Sequence, residues 1–258
     1  MKIALIQFDT VWECIDRNLE TLTHEIDLLE SDVDMAVLPE MFSTGFTMQP
    51  EYVAEPEFGK SAQWMISMAQ KYQIAIAGSL VVSENDRFYN RLFFVFPDGS
   101  YKTYNKKHLF TLAGEDKIYT PGKDKLIVEY KGWKICPLIC YDLRFPVFSR
   151  IQNLDYDLLL YVASWPDKRI YAWDQLLKAR AIENMSYVIG VNRCGIDPNG
   201  VVYSGHSQAI DYMGENLLEP MKNQQTQIIT LDWDSMQKAR KKLAFLDDAD
   251  DFLLQRND

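Results

Sequence analysis

Short apolar runs of strand length alternate with segments of helical periodicity along nearly the whole chain, and layered α/β architectures are the ones that bury both kinds of surface. Residues 2–8 are β-prone and open as a strand. Ile15, Leu19, Leu22, Ile26 and Leu29 then recur at spacings of four and three, one face of a helix. Residues 35–38 form a strand stopped by Pro39, and Trp64, Met65, Met68, Ala69 and Tyr72 mark a second helical face. Residues 74–82 and 88–96 read as strands, the latter turning through PDGS (97–100) into 101–104. Further on, 133–139 and 157–163 are strands, and 173–185 is a helix with Leu176, Leu177, Ala181 and Ile182 inward. Residues 187–192, 207–212 and 227–233 read as strands again. No linker, low-complexity stretch or fixed-period repeat interrupts the 258 residues. The expectation is one domain over 1–258 of mixed sheets covered by helices, with the acidic tail 243–258 packed on a neighbour through Phe252 and Leu253.

Charge and composition exclude several classes. A formal net charge of −10 and the absence of a long Lys/Arg cluster argue against a nucleic-acid partner. There is no apolar run of membrane-spanning length, and the opening MKIALIQF lacks the core of a signal peptide, so a cytoplasmic protein is expected. Cys14, Cys136, Cys140 and Cys194 are too few and too scattered for a disulfide framework. His24, His108 and His206 show no metal-ligand spacing, and no glycine loop suits a phosphate, so no metal is expected.

Two residues stand where chemistry is often placed. Cys140 ends an apolar strand and opens the polar turn Tyr141-Asp142, a position that presents a nucleophile beside free backbone N–H groups. On position alone it also reads as a small buried hydrophobe, the commoner state of a free cysteine. Glu40 follows Val37-Leu38-Pro39 at another strand end, where partial desolvation turns a carboxylate into a usable base, although a loop acid in solvent looks the same in sequence. Lys106 and Lys107 resemble a wet surface pair, and His108 reads as a structural hydrogen-bond donor. Ser204 and His206 are close in sequence, but adjacency is not a triad.

Three segments then fall in one order: LPEMFSTGF (38–46), YNKKHLF (104–110) and PLICYDLRFP (137–146). Together they resemble the nitrilase superfamily of carbon–nitrogen hydrolases. WPDKRIYAWDQLLKARAIENMSYVIGVNRCG (165–195), the turn at 198–201 and the tail segment 245–250 resemble its bacterial YafV-type branch of ω-amidases acting on 2-oxoglutaramate, so the likeness covers essentially the whole chain. It implies a four-layer α-β-β-α sandwich of two mixed sheets, commonly paired as a homodimer, with no cofactor. It implies Glu40 as general base, Cys140 as nucleophile, and Lys106 rather than Lys107 as the lysine. Glu115, ahead of Pro121-Gly122, matches a second glutamate that orients the lysine or the substrate. Two departures stand out. Pro137 removes a ladder donor before the nucleophile and hints at an edge or bulge, and Cys194 replaces an expected small apolar residue.

The implied reaction is thioester formation. Cys140 attacks a side-chain amide of a small 2-oxo dicarboxylate, and Lys106 with the backbone N–H of Tyr141 receives the developing negative charge. Glu40 passes the proton to the departing ammonia, and water releases the acid. Arg169 is the expected partner of the substrate carboxylate, with Trp165, Phe42 and Phe46 as pocket walls. Asp142, Arg144, Arg180 and Glu183 are expected to hold the nucleophile turn through ion pairs. Nitrilases, N-carbamoylases and other amidases share these motifs, and a silent binding or redox protein is the alternative of a different class.

Overall fold

The computed structural model describes residues 1–254. The first half runs β1 (Lys2–Gln7), α1 (Ile15–Asp27), β2 (Met35–Val37), β3 (Glu55–Pro56), α2 (Lys60–Tyr72), β4 (Ala75–Glu84), β5 (Arg87–Val95) and β6 (Tyr101–Asn105). The second half runs β7 (Val128–Tyr130), β8 (Trp133–Ile139), α3 (Pro146–Ser149), β9 (Leu158–Ala163), α4 (Ile170–Asn184) and β10 (Tyr187–Asn192). It continues with β11 (Cys194–Ile196), β12 (Val202–Ser204), β13 (Gln208–Ile210), β14 (Asn216–Leu218), β15 (Gln225–Thr230) and α5 (Trp233–Leu243).

Two mixed sheets form. One has the order β15-β1-β2-β4-β5-β6, with β3 pairing β4, and the other β14-β13-β10-β9-β8-β7. In the first, β1, β2 and β4 are parallel; in the second, β8, β9 and β10 are parallel. Period-two alternation divides the first sheet between two cores. Ala4, Ile6, Ala36, Ile76 and Phe93 pack with Leu19, Leu22 and Ile26 of α1 and Met65, Met68 and Ala69 of α2. Ile3, Leu5, Met35, Val37, Leu92 and Phe94 share a core with the second sheet, which continues to Trp173, Leu177 and Ala181 of α4 and Met236 of α5. Helices, sheet, sheet and helices therefore stack as four layers, as the resemblance implied. Burying an aliphatic side chain completely contributes about 1.5–3 kcal/mol, so a charge at Leu22 would detach α1 from the sheet.

Several local expectations are corrected. α4 is turned so that Trp173 fits against Gly190, whose missing Cβ would lie 2.6 Å from the indole. Leu177 and Ala181 then face inward, but Leu176 is half-buried and Ile182 is 56% exposed. The expected strand 227–233 ends at Thr230, which pairs with Lys2 near the start of β1. Asp232 caps a helix instead, its side chain accepting the Ser235 N–H at 3.0 Å. Only Met236 and Arg240 of that helix are buried, too sparse a stripe to read from sequence. In the tail, the Phe252 carbonyl accepts from Gln152 Nε2 at 2.9 Å, while Leu253 is exposed; the rest of that segment, 255–258, lies outside the described residues. Pro137 sits opposite Leu160 in an unshifted register with β9 and beyond Ile135, where pairing with β7 stops. It therefore occupies a local edge and no bulge.

Candidate active site

The carboxyl ends of β2, β8 and β9 converge on one cavity of about 580 Å³, within the range of small-molecule sites. Segment 38–42 prolongs β2 alongside β4: Leu38 N–H donates to the Ala77 carbonyl at 2.8 Å, and Met41 N–H to Ser79 Oγ at 2.9 Å. Gly78 permits this approach, because a Cβ there would lie 2.9 Å from both Leu38 and Phe42. Glu40 is thereby turned inward and is 1% exposed.

Lys106 follows β6, its N–H bonded to the Asn90 carbonyl at 2.9 Å. Its side chain is fully buried. Nζ donates to Glu40 Oε1 at 2.8 Å and to Glu115 Oε2 and Oε1 at 2.9 and 3.1 Å. Phe46 lies under the ammonium, its ring centre 5.2 Å away. Burial pulls the lysine pKa down, but the charges of Glu115 and Glu40 outweigh it and raise it above the ordinary value. Glu115 is held above the usual carboxyl range by burial and by the charge of Glu40, with Lys106 opposing. Its Oε2 also accepts the Phe110 N–H. Glu40 Oε2 accepts the Ser164 N–H at 2.8 Å, and Asn90 Nδ2 donates to Glu40 Oε1 at 2.7 Å.

Cys140 begins a single helical turn, Cys140–Arg144, with φ +44, a left-handed conformation that costs a non-glycine residue roughly 1–3 kcal/mol. Asp142 holds that turn. Its Oδ2 accepts from Ile139 N–H at 3.0 Å and the Tyr104 hydroxyl at 2.7 Å, and its Oδ1 accepts from His108 N–H and lies 2.8 Å from His108 Nδ1. His108 stacks on Phe145 with ring centres 3.8 Å apart. Arg180 ties α4 to the same turn through the Leu143 carbonyl at 2.6 Å and pairs with Glu183 at 3.0 Å. Arg144 does something else. It makes no ion pair among the described residues and lies over the Trp165 ring at 5.0 Å, lining the cavity.

Burial pushes the Cys140 thiol well above its usual pKa, and the Glu40 charge and a hydrogen bond between thiol and Glu40 push the same way. Lys106 and the Ser164 backbone amide oppose them. The sulfur is therefore a neutral thiol at rest beside a carboxylate that can take its proton and an ammonium that can receive negative charge. The backbone N–H of Tyr141, at the start of its turn, has no carbonyl within that helix to bond.

Phe46, Trp165, Tyr141 and Arg169 line the cavity with Cys140 and Lys106. Arg169 lies over the Phe110 ring at 5.0 Å, and Trp165 is fastened by Asn192 Oδ1 to its N–H at 2.7 Å. Phe42 does not line it: the ring is buried in the helix-side core against Trp64, 5.8 Å between centres. Met41 has φ +46, and the chain reverses there, which sends residue 42 to the other side of the sheet from Glu40. His206 also stays out of the cavity lining and turns to Asp174 at 3.1 Å. Sequence reading missed Asn90, Ser164 and the cavity-facing role of Arg144. Ser164 was findable as the first polar residue after an apolar parallel strand, the place where α/β sheets present ligand contacts.

The chain has relatives. A carbon–nitrogen hydrolase family model matches residues 2–241. The chain is 43% identical over 257 residues to the ω-amidase YafV of Yersinia enterocolitica, covering 98% of each protein. It is 32% identical over 250 residues to the 2-oxoglutaramate amidase of Bacillus subtilis, covering 95% of this chain and 96% of that one. A CN-hydrolase superfamily protein of Xanthomonas campestris, solved with an arsenic adduct in its active site, shares 37% identity and a TM-score of 0.97 over 99% of both chains. With the match running from β1 into α5, the chain belongs to the carbon–nitrogen hydrolase family.

Proposed function

We propose that this enzyme is an ω-amidase that releases ammonia from the terminal amide of a small 2-oxo dicarboxylate of the 2-oxoglutaramate type. The observation that carries the reading is the ammonium of Lys106, held between Glu40 and Glu115 at the base of a cavity whose wall is Cys140. Activity of the named relatives supports the substrate class.

In the proposed reaction Glu40 accepts the thiol proton as Sγ of Cys140 attacks the amide carbon. Negative charge moves onto the amide oxygen and is received by Lys106 Nζ and the Tyr141 N–H; one preorganised donor of this kind is worth roughly 3–4 kcal/mol at the transition state. The intermediate collapses, the C–N bond breaks, and Glu40 returns the proton to nitrogen, so that ammonia leaves and a thioester remains. Water, deprotonated by Glu40, then attacks the acyl carbon and frees the thiol and the carboxylic acid. Glu115 transfers no proton in this scheme; it fixes the lysine. Arg169 takes the substrate carboxylate at the rim, with Trp165 and Phe46 as walls. The enzyme is assigned to the cytoplasm and to a homodimer as part of the same reading. No helix among the described residues is long and apolar enough to cross a membrane. Ile182, with Met213 47% exposed nearby on the turn against it, offers α4 an apolar pairing surface.

The test compares ammonia release from 2-oxoglutaramate, glutamine, simple amides and a nitrile, with wild type and Cys140→Ala. Turnover of 2-oxoglutaramate well above the others, abolished in the variant, is expected, along with a mass-trapped acyl adduct on Cys140. Preference for a nitrile or an N-carbamoyl acid would move the assignment elsewhere in the superfamily, and no adduct with any substrate would end it.

A further inference from the structure

We propose that Asn90 is a positioning residue of this reaction, whose side-chain amide ties the two carboxylates together and holds Glu40 in the orientation and charge state that accept the Cys140 proton. The inference rests on the amidase reading above. Asn90 is fully buried in β5, opposite Val81 of β4. Its Nδ2 donates to Glu40 Oε1 at 2.7 Å and to Glu115 Oε1 at 3.3 Å, and its carbonyl accepts the Lys106 N–H at 2.9 Å. One residue thus bonds both carboxylates and the backbone of the lysine that lies between them.

Charge counting says why the amide matters. Lys106 brings one positive charge to two buried carboxylates, leaving the set net negative, and burial together with Glu40 already raises Glu115. Two N–H groups aimed at the oxygens that the acids share with the lysine stabilise both anions without adding charge. The same logic sets the amide's orientation, because turned over it would point its oxygen at two anions. As it stands, Oδ1 has no hydrogen-bond partner among the described residues, an uncommon state for a buried acceptor, accepted here so that Nδ2 can face the acids. Asn is also a poor strand former, and Leu92, Phe93, Phe94 and Val95 beside it are of the usual kind.

The experiment measures kcat, KM and the pH profile of 2-oxoglutaramate hydrolysis for Asn90→Leu, which keeps the size but loses the donors without adding charge, and Asn90→Ala. For both, kcat is expected to fall about 10- to 100-fold with KM changed less than about threefold. The acid limb of kcat/KM is expected to move up by about one pH unit, since losing donors to the ionised form raises a carboxyl group. Asn90→Ser, with one hydroxyl donor for one carboxylate, should fall between. Variants that unfold at the wild-type temperature and keep its kcat and acid limb overturn the proposal. If the variants do not fold, nitrogen-resolved NMR of the wild-type Asn90 amide decides: two downfield protons that move along the acid limb are expected, and ordinary, pH-insensitive shifts overturn it. A wild type that forms no thioester and hydrolyses no ω-amide refutes the amidase reading instead, while the amide resonances still report whether Asn90 binds the two acids.

Discussion

Lys106 and Arg169 carry the same charge into one cavity, and the protein treats them in opposite ways. Lys106 is buried, bonded to two carboxylates, and surrounded by groups whose own partners are fixed: Glu40 by Ser164 and Asn90, Glu115 by Phe110. Arg169, with Arg144 and Lys168, stands at the rim, and none of the three pairs with a carboxylate among the described residues. Arg144 and Arg169 rest on aromatic faces, Trp165 and Phe110. A charge that must meet an oxyanion gains from being immobile before the reaction starts, because no reorganisation then accompanies bond making. A charge that must capture a free carboxylate gains from being unpaired, since a resident partner would have to be displaced.

Removing the cation from the floor should give the largest effect. Lys106→Met leaves Glu40 and Glu115 buried with no counter-charge, and losing one partner of a buried pair costs about 3–5 kcal/mol. Activity should vanish, and unfolding temperature should drop. Without the lysine, the opposing charge is gone, and burial with the charge of Glu40 raises the Glu115 carboxyl further above its unfolded value. A group raised in the folded state favours folding only while it is protonated, so the variant's deficit should shrink toward acid pH and widen as pH rises through neutrality. Thermal unfolding from pH 5 to 8 checks this, and a deficit constant with pH would break the contrast between floor and rim.

Glu40→Gln comes next, and it separates chemistry from thiol reactivity. The lost base should lower kcat about 10²- to 10⁴-fold. Yet the Glu40 charge and hydrogen bond help keep the Cys140 thiol protonated, so their removal leaves Lys106 acting on the sulfur with less opposition. Iodoacetamide should therefore label Cys140 faster at pH 7 in the variant than in wild type, whose labelling rate should still be climbing above pH 9. Slower labelling in the variant would mean that the carboxylate does not lie against the sulfur.

At the rim the effects should be smaller and of another kind. Arg169→Ala should raise KM for 2-oxoglutaramate about tenfold, with kcat within about twofold and no loss of thermal stability. If Arg144→Ala raises KM and Arg169→Ala does not, the substrate carboxylate lies on the Trp165 side of the cavity.

The two regions also differed in how well sequence disclosed them. Cys140 and Glu40 were visible as polar residues closing apolar strands, and three motifs in order united them with Lys106. Choosing Lys106 over Lys107 needed the resemblance, although burial does alternate through Tyr104, Asn105, Lys106 and Lys107 with the period of a strand. Asn90 was hidden, because one polar residue inside an apolar strand looks like a flaw in the pattern. Phe42 was misread for the converse reason, since nearness to Glu40 in sequence says nothing about a chain that reverses at Met41. A mixed α/β architecture followed from the alternation of elements, the four layers came only with the resemblance, and the strand order was not legible because pairing is set by contacts between distant segments. Nor was the face of α4, because the fit of Trp173 onto Gly190 turns the helix, and that contact joins residues of different elements. At the rim, Arg169 was named from sequence while Arg144 was expected in an ion pair, since whether a charge is paired is decided by what folds beside it.

Glu40 leaves the first sheet and is gripped by the amide of Ser164, which ends a strand of the second, 124 positions later. The proposed proton acceptor is thus anchored on one slab and on the other at once, while the sulfur belongs to the second alone. Catalytic competence becomes a gauge of how the slabs are stacked. A slide of an ångström between them would part base from thiol while every strand and helix stayed intact, so mild pressure or denaturant should silence this enzyme before its circular dichroism changes.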